Sequence, residues 1–230
     1  MKVLIIIPAY NEGQNIERVV NNLTKNFSEY DYVVVNDGSK DNTAEVCREK
    51  GYNFLDLPVN LGLTSAIQAG MRYAYKLGYD AAIQFDGDGQ HRPEYIEDLK
   101  KVIESGEAEI AIGSRFVTEK KPQSMRMLGS FIISSAIKLT TGVKINDPTS
   151  GMRLFGKRVI REFAENINYA PEPDTISYLI KNGVTVKEVQ VKMDERIAGE
   201  SYLNTAKAMK YMVLQCFSIC FIQAFRKGIK

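Results

Sequence analysis

The chain has 230 residues, 44% of them hydrophobic and 25% charged, which is ordinary for a globular protein with one catalytic domain and room for a short appendage. Its three cysteines and single histidine argue against a disulfide framework and against a Cys/His zinc site, and they indicate a reducing, cytoplasmic environment. The net charge of +2 is modest, and we expect no nucleic-acid partner.

Apolar runs of strand length alternate with segments of helical periodicity through the first half of the chain. The predicted strands are Val3–Ile7, Tyr32–Val35, Tyr52–Leu57, Ala81–Phe85 and Glu109–Ile112. Helical patterns fill the intervals, among them Thr64–Leu77, which Gly78 would terminate. This alternation predicts an α/β fold with a mostly parallel sheet flanked by helices.

The second half of the chain has longer helical patterns. Two further strands are predicted at Ser150–Phe155 and Val184–Met193, with one helix between them, and Met125–Thr141 is predicted to be an amphipathic helix. Its polar stripe consists of Arg126, Ser130, Ser134, Lys138 and Thr141. The apolar residues off that stripe are Leu128, Phe131, Ile132, Ile133 and Ile137.

A last helix is predicted over Leu203–Phe225. Its apolar part is shorter than the ~20 residues of a spanning segment, and polar residues fall on roughly one side. These polar residues are Lys207, Lys210, Gln215, Ser218 and Arg226. We expect a catalytic domain at 1–200 and a C-terminal amphipathic helix at 201–230 that docks on the membrane or on a partner. The alternative is a helix packed on the protein's own core.

Two segments contain no acidic residue, Lys120–Asn146 and Ser201–Lys230. Both combine basic residues with many apolar ones, which favours contact with an anionic surface such as phospholipid headgroups. Ordinary solvated helix faces are the alternative. The first reading predicts a protein that associates peripherally with the inner face of the cell membrane.

Carboxylates collect where the predicted strands end, which is the edge where open α/β sheets bind ligands. Asp86 and Asp88 follow the fourth strand, and together with Gln90 they could bind Mg²⁺ or Mn²⁺ while leaving positions for diphosphate oxygens. The alternative is an acidic surface turn. Asp37, after the second strand, could accept a hydrogen bond from a base or ribose, or it could cap a turn or helix.

Three other features of these loops suit a phosphate ligand. Asn60-Leu-Gly62 would let the backbone approach a ligand closely, although it could equally be an ordinary loop. Arg115 follows a strand end and Arg153 lies in an apolar strand, and arginine fits phosphate through paired donors. The alternative for both arginines is an internal salt bridge, with Asp147 or Glu12 as the partner.

The ordered motifs IIIPAYNEGQNI, VVVNDGSKDNT, NLGL, QFDGDGQHRPE and INDPTSGMRLF resemble family 2 glycosyltransferases, in particular the polyprenyl-phosphate branch that includes dolichyl-phosphate mannose synthase. The resemblance covers roughly residues 1–200. It implies the nucleotide-sugar-binding GT-A fold, a Rossmann-like sheet, and a metal-dependent enzyme that transfers a sugar from a nucleotide-sugar.

The resemblance also assigns roles to residues at matching positions. The nucleotide-sugar would contact Pro8, Tyr10, Glu12, Asp37, Asn60, Gly62, Asp86 and Arg153. The metal would be held by Asp86, Asp88 and Gln90, and the catalytic group would be Asp88, Arg115 and Arg196. The two catalytic arginines would lie near the diphosphate and the acceptor phosphate. His91, in a polar turn, is not expected to be a general base.

Gly151 stands where many relatives that glycosylate hydroxyl groups place a catalytic Asp. A hydroxyl must lose a proton, whereas a phosphate monoester is already an anionic nucleophile near neutral pH. This favours a polyprenyl phosphate acceptor and an inverting displacement, although the loop acids Asp147 and Glu195 could supply a base. UDP-glucose or UDP-N-acetylglucosamine is the favoured donor, for cell-envelope polysaccharide synthesis, and GDP-mannose is the alternative.

Three other functions remain open from the sequence: a glycosyltransferase with a saccharide hydroxyl acceptor, a nucleotidyltransferase, and a nucleotide-sugar-binding regulator without turnover. The acid-free segments count against the first. The second would need a glycine-rich basic N-terminal signature, which is not evident, and the metal motif argues against the third. A membrane-bound enzyme of this size could also need a small membrane-protein subunit or a homo-oligomer for stable anchoring.

Overall fold

One sheet forms the centre of the protein. The computed structural model describes residues 1–122, 124–165, 172–194, 205–223 and 226. Within them, the strands of the sheet are β1 (Val3–Ala9), β2 (Asp31–Asp37), β3 (Phe54–Leu57), β4 (Ala81–Gln84), β5 (Ile110–Ser114), β6 (Arg153–Gly156) and β7 (Val186–Gln190). Their order across the sheet is β3-β2-β1-β4-β6-β5-β7.

The strand directions determine where the loops meet. β1 to β4 are parallel neighbours, β5 and β7 are parallel to each other, and only β6 runs antiparallel to the strands on both of its sides. The pairing of Gln84 with Arg153, and of Ile112 with Arg153, places the start of β6 beside the ends of β4 and β5. Loops that follow β1 to β5 therefore share one edge of the sheet with the loop that precedes β6.

Helices cover both faces of the sheet. They are α1 (Ile16–Asn26), α2 (Thr43–Glu49), α3 (Leu63–Lys76), α4 (Ile96–Glu104), α5 (Met125–Thr141), α6 (Lys157–Glu165), α7 (Pro173–Lys181) and α8 (Thr205–Phe217). A 3₁₀ turn at Pro93–Tyr95 precedes α4, and a π-helical turn at Ser218–Ile222 follows α8. The predicted α/β architecture is confirmed.

Alternate residues of the strands point into two hydrophobic cores. Val3, Ile5 and Ile7 pack with α1, α2 and α4, whereas Leu4 and Ile6 pack with the helices of the opposite face, α3 and α5 to α7. The helices match their faces by periodicity, since α1 buries its apolar residues at i, i+3, i+4 and i+7. Because both faces of the central strands are covered, these strands are continuous apolar runs.

The structure corrects the second half of the prediction. Where one helix was expected between the last two strands there are two, α6 and α7, and the unpredicted α7 begins with Pro173 in its first turn and buries Ile176, Tyr178 and Leu179. The last two strands are also shorter than predicted. Ile167, which was assigned to the predicted helix, lies outside the described residues.

Helix α5 has the predicted bounds but not the expected orientation of its faces. Ser130 and Ser134 of the polar stripe are buried, and the Ser134 hydroxyl donates to the carbonyl of Ile145. Ile133 and Ile137 are buried too. The side chains exposed on this helix include four large apolar ones, Leu128, Phe131, Ile132 and Leu139. The serines are satisfied inside by hydrogen bonds, so the amphipathic pattern alone did not determine which face points outwards.

Helix α8 packs on the domain through one face only. A Cβ on Gly129 of α5 would lie 1.5 Å from the sulfur of Met212, so α5 and α8 are in backbone-close contact there. Ile219 is fully buried, and Cys216 packs against the same core. The described part of the C-terminal segment therefore contributes to the domain core. No helix in the described ranges is both long enough and apolar enough to cross a bilayer.

Candidate active site

The loops after β1, β2 and β4 are tied together at the carboxyl edge of the sheet. The Glu12 amide donates to Thr43 Oγ1 at 3.0 Å, and the Gly13 amide donates to Asp41 at 3.0 Å, which joins the loop after β1 to the loop after β2. A Cβ on Gly87 would lie 3.1 Å from the Pro8 carbonyl oxygen. The loop that carries the two aspartates of the metal motif therefore lies against the loop after β1.

Two of the predicted nucleotide-contacting residues from the first loop differ in exposure. Tyr10 is 41% exposed, and its ring is available to a ligand at the sheet edge. The Glu12 carboxylate accepts a 2.7 Å hydrogen bond from the Asn15 side chain and is half-buried. Both positions are compatible with contact to a nucleoside, which stays a prediction.

Asp37 holds the loop that carries Asn60 and Gly62. Its two carboxylate oxygens accept hydrogen bonds from the backbone amides of Leu61 and Gly62, at 2.9 and 2.8 Å, and the residue is only 3% exposed. Gly62 has a φ of +87° and precedes α3, a conformation that favours glycine. Asp37 thus fixes the position of the NLG loop just before α3, which corresponds to the capping role that the sequence left open, and its contact with a nucleotide stays a prediction.

The metal motif has two carboxylates on one short loop. Asp88 is 6% exposed and accepts the Gln90 amide at 3.0 Å, while the Asp86 side chain is 34% exposed. The Gln90 side-chain amide donates to the Asp194 carbonyl at 3.3 Å. Gly89 has a φ of +78°, which lets the chain turn between Asp88 and Gln90.

The donor set of this loop fits a hard divalent cation. In the described part of the chain, no group of three or more His, Cys, Asp or Glu side chains is arranged to hold a metal ion. Two carboxylates and one amide oxygen are nevertheless the kind of incomplete, oxygen-only set that Mg²⁺ and Mn²⁺ use when water and substrate phosphates complete the coordination.

The Arg115 guanidinium is engaged by an internal partner. Its Nε donates to Oδ2 of Asp147 at 2.7 Å and one terminal nitrogen donates to Oδ1 at 2.9 Å, and Asp147 is completely buried. Glu188 in turn accepts the backbone amides of Asn146 and Asp147. This is the internal salt bridge that the sequence left open, so any contact between Arg115 and a phosphate would have to be made alongside the ion pair.

Arg153 is almost completely enclosed. It is 2% exposed, donates to the Pro148 carbonyl at 2.7 Å, and burial lowers the pKa of its guanidinium. Glu172 is the acid that most favours its charged form, and burial raises the pKa of Glu172. Direct contact between Arg153 and a nucleotide-sugar would require this enclosure to open. Arg196, the third arginine of the prediction, lies outside the described residues.

His91 and Gly151 are brought against Asp86. The sequence suggested a loop histidine, but His91 is 5% exposed and accepts the Asp86 backbone amide at 2.9 Å. A Cβ on Gly151 would lie 2.7 Å from Oδ2 of Asp86. The contact between Gly151 and Asp86 could not be predicted from sequence spacing, because the two residues are distant in the chain. For His91, its position five residues after Asp86 on the same loop was the available signal.

Comparison with known proteins gives the family. The sequence profile of Glycosyl transferase family 2 matches residues 4–163. The chain belongs to glycosyltransferase family 2. This confirms the predicted family and the prediction that the enzyme is a glycosyltransferase.

Two curated relatives are similar over most of the enzyme. A UDP-N-acetylglucosamine–dolichyl-phosphate N-acetylglucosaminyltransferase of Methanococcus voltae is 31% identical in an alignment that covers 83% of this chain and 84% of the relative. A polyprenol monophosphomannose synthase of Mycolicibacterium smegmatis is 28% identical over 92% of this chain and 84% of the relative. The resemblance to the polyprenyl-phosphate branch is confirmed at the level of these relatives.

A solved structure confirms the GT-A-type fold. Glucosyl-3-phosphoglycerate synthase from Mycobacterium tuberculosis, in complex with Mn²⁺, UDP and glucosyl-3-phosphoglycerate, superposes with a TM-score of 0.70 over 95% of this chain and 80% of its own. The sequence identity is 15%, so the likeness concerns the fold.

Proposed function

We propose that the enzyme transfers a sugar, with inversion, from a nucleotide-sugar to a polyprenyl phosphate at the inner face of the cell membrane. The observation that carries the proposal is the contact between Gly151 and Asp86. A side chain at 151 would enter the space of Oδ2, which lies 2.7 Å from the Cβ position. A carboxylate there would stand against Asp86 as a like charge. A glycine at position 151 therefore favours an acceptor that is already anionic and needs no protein base to remove a proton.

Lys121 is a second basic side chain that would bind an acceptor phosphate, together with Arg115. The half-buried Lys121 donates to Ser130 Oγ at 3.0 Å, and burial lowers the pKa of its ammonium. Asp147, Glu188 and Arg115 are among the charges that act on it, which places Lys121 near the Arg115 ion pair. Asp147 and Glu188 carry the opposite charge beside both cations, so Arg115 and Lys121 would offer a phosphate hydrogen-bond donors rather than a net positive charge.

Asp86, Asp88 and Gln90 would hold Mg²⁺ or Mn²⁺ in the proposed enzyme. The cation would supply neutralisation of charge on the departing nucleotide diphosphate. The residues of the protein do the positioning: Asp37 fixes the NLG loop through two backbone amides, and Tyr10 offers an exposed ring directly after β1. A phosphate oxygen of the acceptor then attacks the anomeric carbon, the bond to the diphosphate breaks, and the configuration inverts.

The proposed membrane surface consists of two helices rather than one. On α5, the exposed apolar side chains are Leu128, Phe131, Ile132 and Leu139. On α8 and the turn after it, they are Val213, Leu214, Phe217, Phe221 and Ile222. We call these nine residues the lipid face. The close contact between Gly129 and Met212 joins the two rows.

Charge and size make a lipid bilayer the proposed occupant of the lipid face. Lys138 and Lys210 are exposed on the same two helices, and each helix falls within one of the two acid-free segments of the sequence. An apolar row edged by basic residues is typical of helices that lie in the interface of anionic membranes. A homo-oligomer or a small membrane-protein subunit covering this face is the alternative.

The identity of the nucleotide-sugar donor is the most specific part of the proposal. We favour UDP-glucose or UDP-N-acetylglucosamine, used in cell-envelope polysaccharide synthesis, and one curated relative is named for UDP-N-acetylglucosamine while another is named for mannose. GDP-mannose is therefore the alternative donor.

A donor screen with two acceptors tests the proposal. The enzyme is incubated with each nucleotide-sugar and Mn²⁺, together with undecaprenyl phosphate or with a free saccharide, and labelled sugar is counted in the lipid phase. We expect lipid-linked sugar with one donor, no transfer to saccharide, and loss of transfer in Asp88→Ala. Transfer to the saccharide alone would establish the hydroxyl-acceptor enzyme instead.

A further inference from the structure

The side chain of His91, the one histidine in the sequence, packs against the loop that carries the metal motif. The backbone amide of Asp86 donates to Nδ1 of the ring at 2.9 Å. The ring of Phe85 packs against it edge-on, with the centroids 5.4 Å apart at an interplanar angle of 73°. These contacts fix the orientation of a ring whose side chain is 2% exposed.

The hydrogen bond to Nδ1 determines which nitrogen carries the proton in the neutral ring. A neutral imidazole has one donor and one acceptor, and Nδ1 is the acceptor because it receives the Asp86 amide. The proton is therefore on Nε2. This nitrogen lies 3.4 Å from Oδ2 of Asp86, so the proton is on the ring nitrogen next to the carboxylate whose own backbone amide orients the ring.

The other oxygen of Asp86 has a second neighbour. Oδ1 accepts the side-chain amide of Gln84 at 3.4 Å. The carboxylate thus lies between two N–H groups, one from β4 and one from His91, and Gly151 leaves the space that this orientation needs. Both N–H contacts are longer than an ordinary hydrogen bond of about 2.9 Å, so they restrict rotation of the carboxylate without using up its capacity to bind a cation.

We propose that His91 is a positioning residue that orients Asp86 for metal binding. The inference rests on the proposed function, because it takes Asp86 to be a metal ligand. Groups that hydrogen-bond to metal ligands fix ligand orientation, and their loss typically weakens metal binding about 10- to 100-fold. His91 acts through Asp86, since one of its nitrogens is bonded to backbone and the other faces the carboxylate.

Two amide substitutions separate the two nitrogens of the ring. In His91→Asn, the side-chain oxygen is placed to accept the Asp86 amide as Nδ1 does, but nothing replaces Nε2. In His91→Gln, an amide nitrogen can reach the Nε2 position and donate to the carboxylate. Mn²⁺ binding is measured by electron paramagnetic resonance in the presence of UDP, and UDP binding without metal is measured by calorimetry.

We expect His91→Asn to weaken Mn²⁺ binding about 10- to 100-fold, with UDP binding in the absence of metal unchanged, and His91→Gln to recover most of the loss. Equal Mn²⁺ affinity in wild type and His91→Asn would overturn the inference. So would equal losses in both variants. If the wild-type enzyme itself binds no Mn²⁺, the proposed metal site fails and the inference fails with it, so the two failures are distinguishable.

The tautomer can be measured in the unmodified enzyme. Labelling with ¹⁵N-histidine gives signals from one ring only, because the chain has a single histidine. At a pH where the ring is neutral, we expect an unprotonated Nδ1 and a protonated Nε2. The opposite tautomer would overturn the inference without any substitution, and would therefore decide it even if both variants failed to fold.

Discussion

The lipid face predicts how strongly single aromatic side chains contribute to membrane binding. Phe131 on α5 and Phe217 on α8 are 62% and 54% exposed. Full burial of a phenylalanine is worth about 1.5–3 kcal/mol, so burying the exposed half in lipid should give about 1–1.5 kcal/mol. Replacing either residue by serine should weaken binding to anionic liposomes about fivefold to tenfold, and replacing both should approach the product of the two effects.

Flotation of the enzyme with liposomes is the assay, and Leu77→Ser is the matched control. Leu77 is 48% exposed at the end of α3, near Asp80, which pairs with the start of β1 at the edge opposite the site. We expect the control to float like the wild type. Normal flotation of Phe131→Ser would refute the assignment of α5 to the lipid face. Equal detachment of Leu77→Ser would show that the loss of binding is not specific to that face. Deletion of α8 together with the turn after it is a poorer test, because it also removes the buried Ile219.

Gly151→Ala places a Cβ 2.7 Å from Oδ2 of Asp86, so the carboxylate must turn; Mn²⁺ affinity by paramagnetic resonance should fall, and unchanged affinity would refute the crowding. Asp37→Asn keeps one of two backbone acceptors and should weaken UDP binding in calorimetry, whereas an unchanged Kd would show that the loop is held without it. Tyr211→Phe removes a hydrogen bond to the half-buried Glu172 and should lower the unfolding free energy in urea by about 1.5–3 kcal/mol; no change would contradict it. Burial raises the pKa of Glu172 above its ordinary 4.5, so its contribution to stability is lost as pH rises through the raised value, and Glu172→Gln should flatten that slope.

The first half of the fold followed from local sequence because each element there agrees with its surroundings. The apolar run of β1 is buried on both faces, and the i, i+3, i+4, i+7 residues of α1 all point into one core. The second half depended on tertiary packing. Helix α7 was missed, and α5 was assigned correct bounds but its Ser130 and Ser134 turned inwards, where a lysine and a carbonyl satisfy them.

The candidate site was predictable where chemistry depends on neighbours in sequence. Asp86 and Asp88 could be found from one short motif after a strand. The sequence could not decide whether Arg115 binds a ligand or a protein carboxylate, because its carboxylate partner Asp147 comes from a different loop. The packing of Gly151 against Asp86 required the antiparallel insertion of β6 between β4 and β5, which sequence periodicity does not reveal.

The central claim is that the acceptor is a phosphate whose oxygen needs no protein base. The most direct measurement is the linkage in the product: the lipid fraction from the donor screen is analysed by mass spectrometry and by ³¹P and ¹H NMR, starting from an α-linked nucleotide-sugar. We expect a phosphodiester joined to the anomeric carbon, in the β configuration. A sugar joined to a hydroxyl oxygen, or an α-linked phosphodiester, would contradict it.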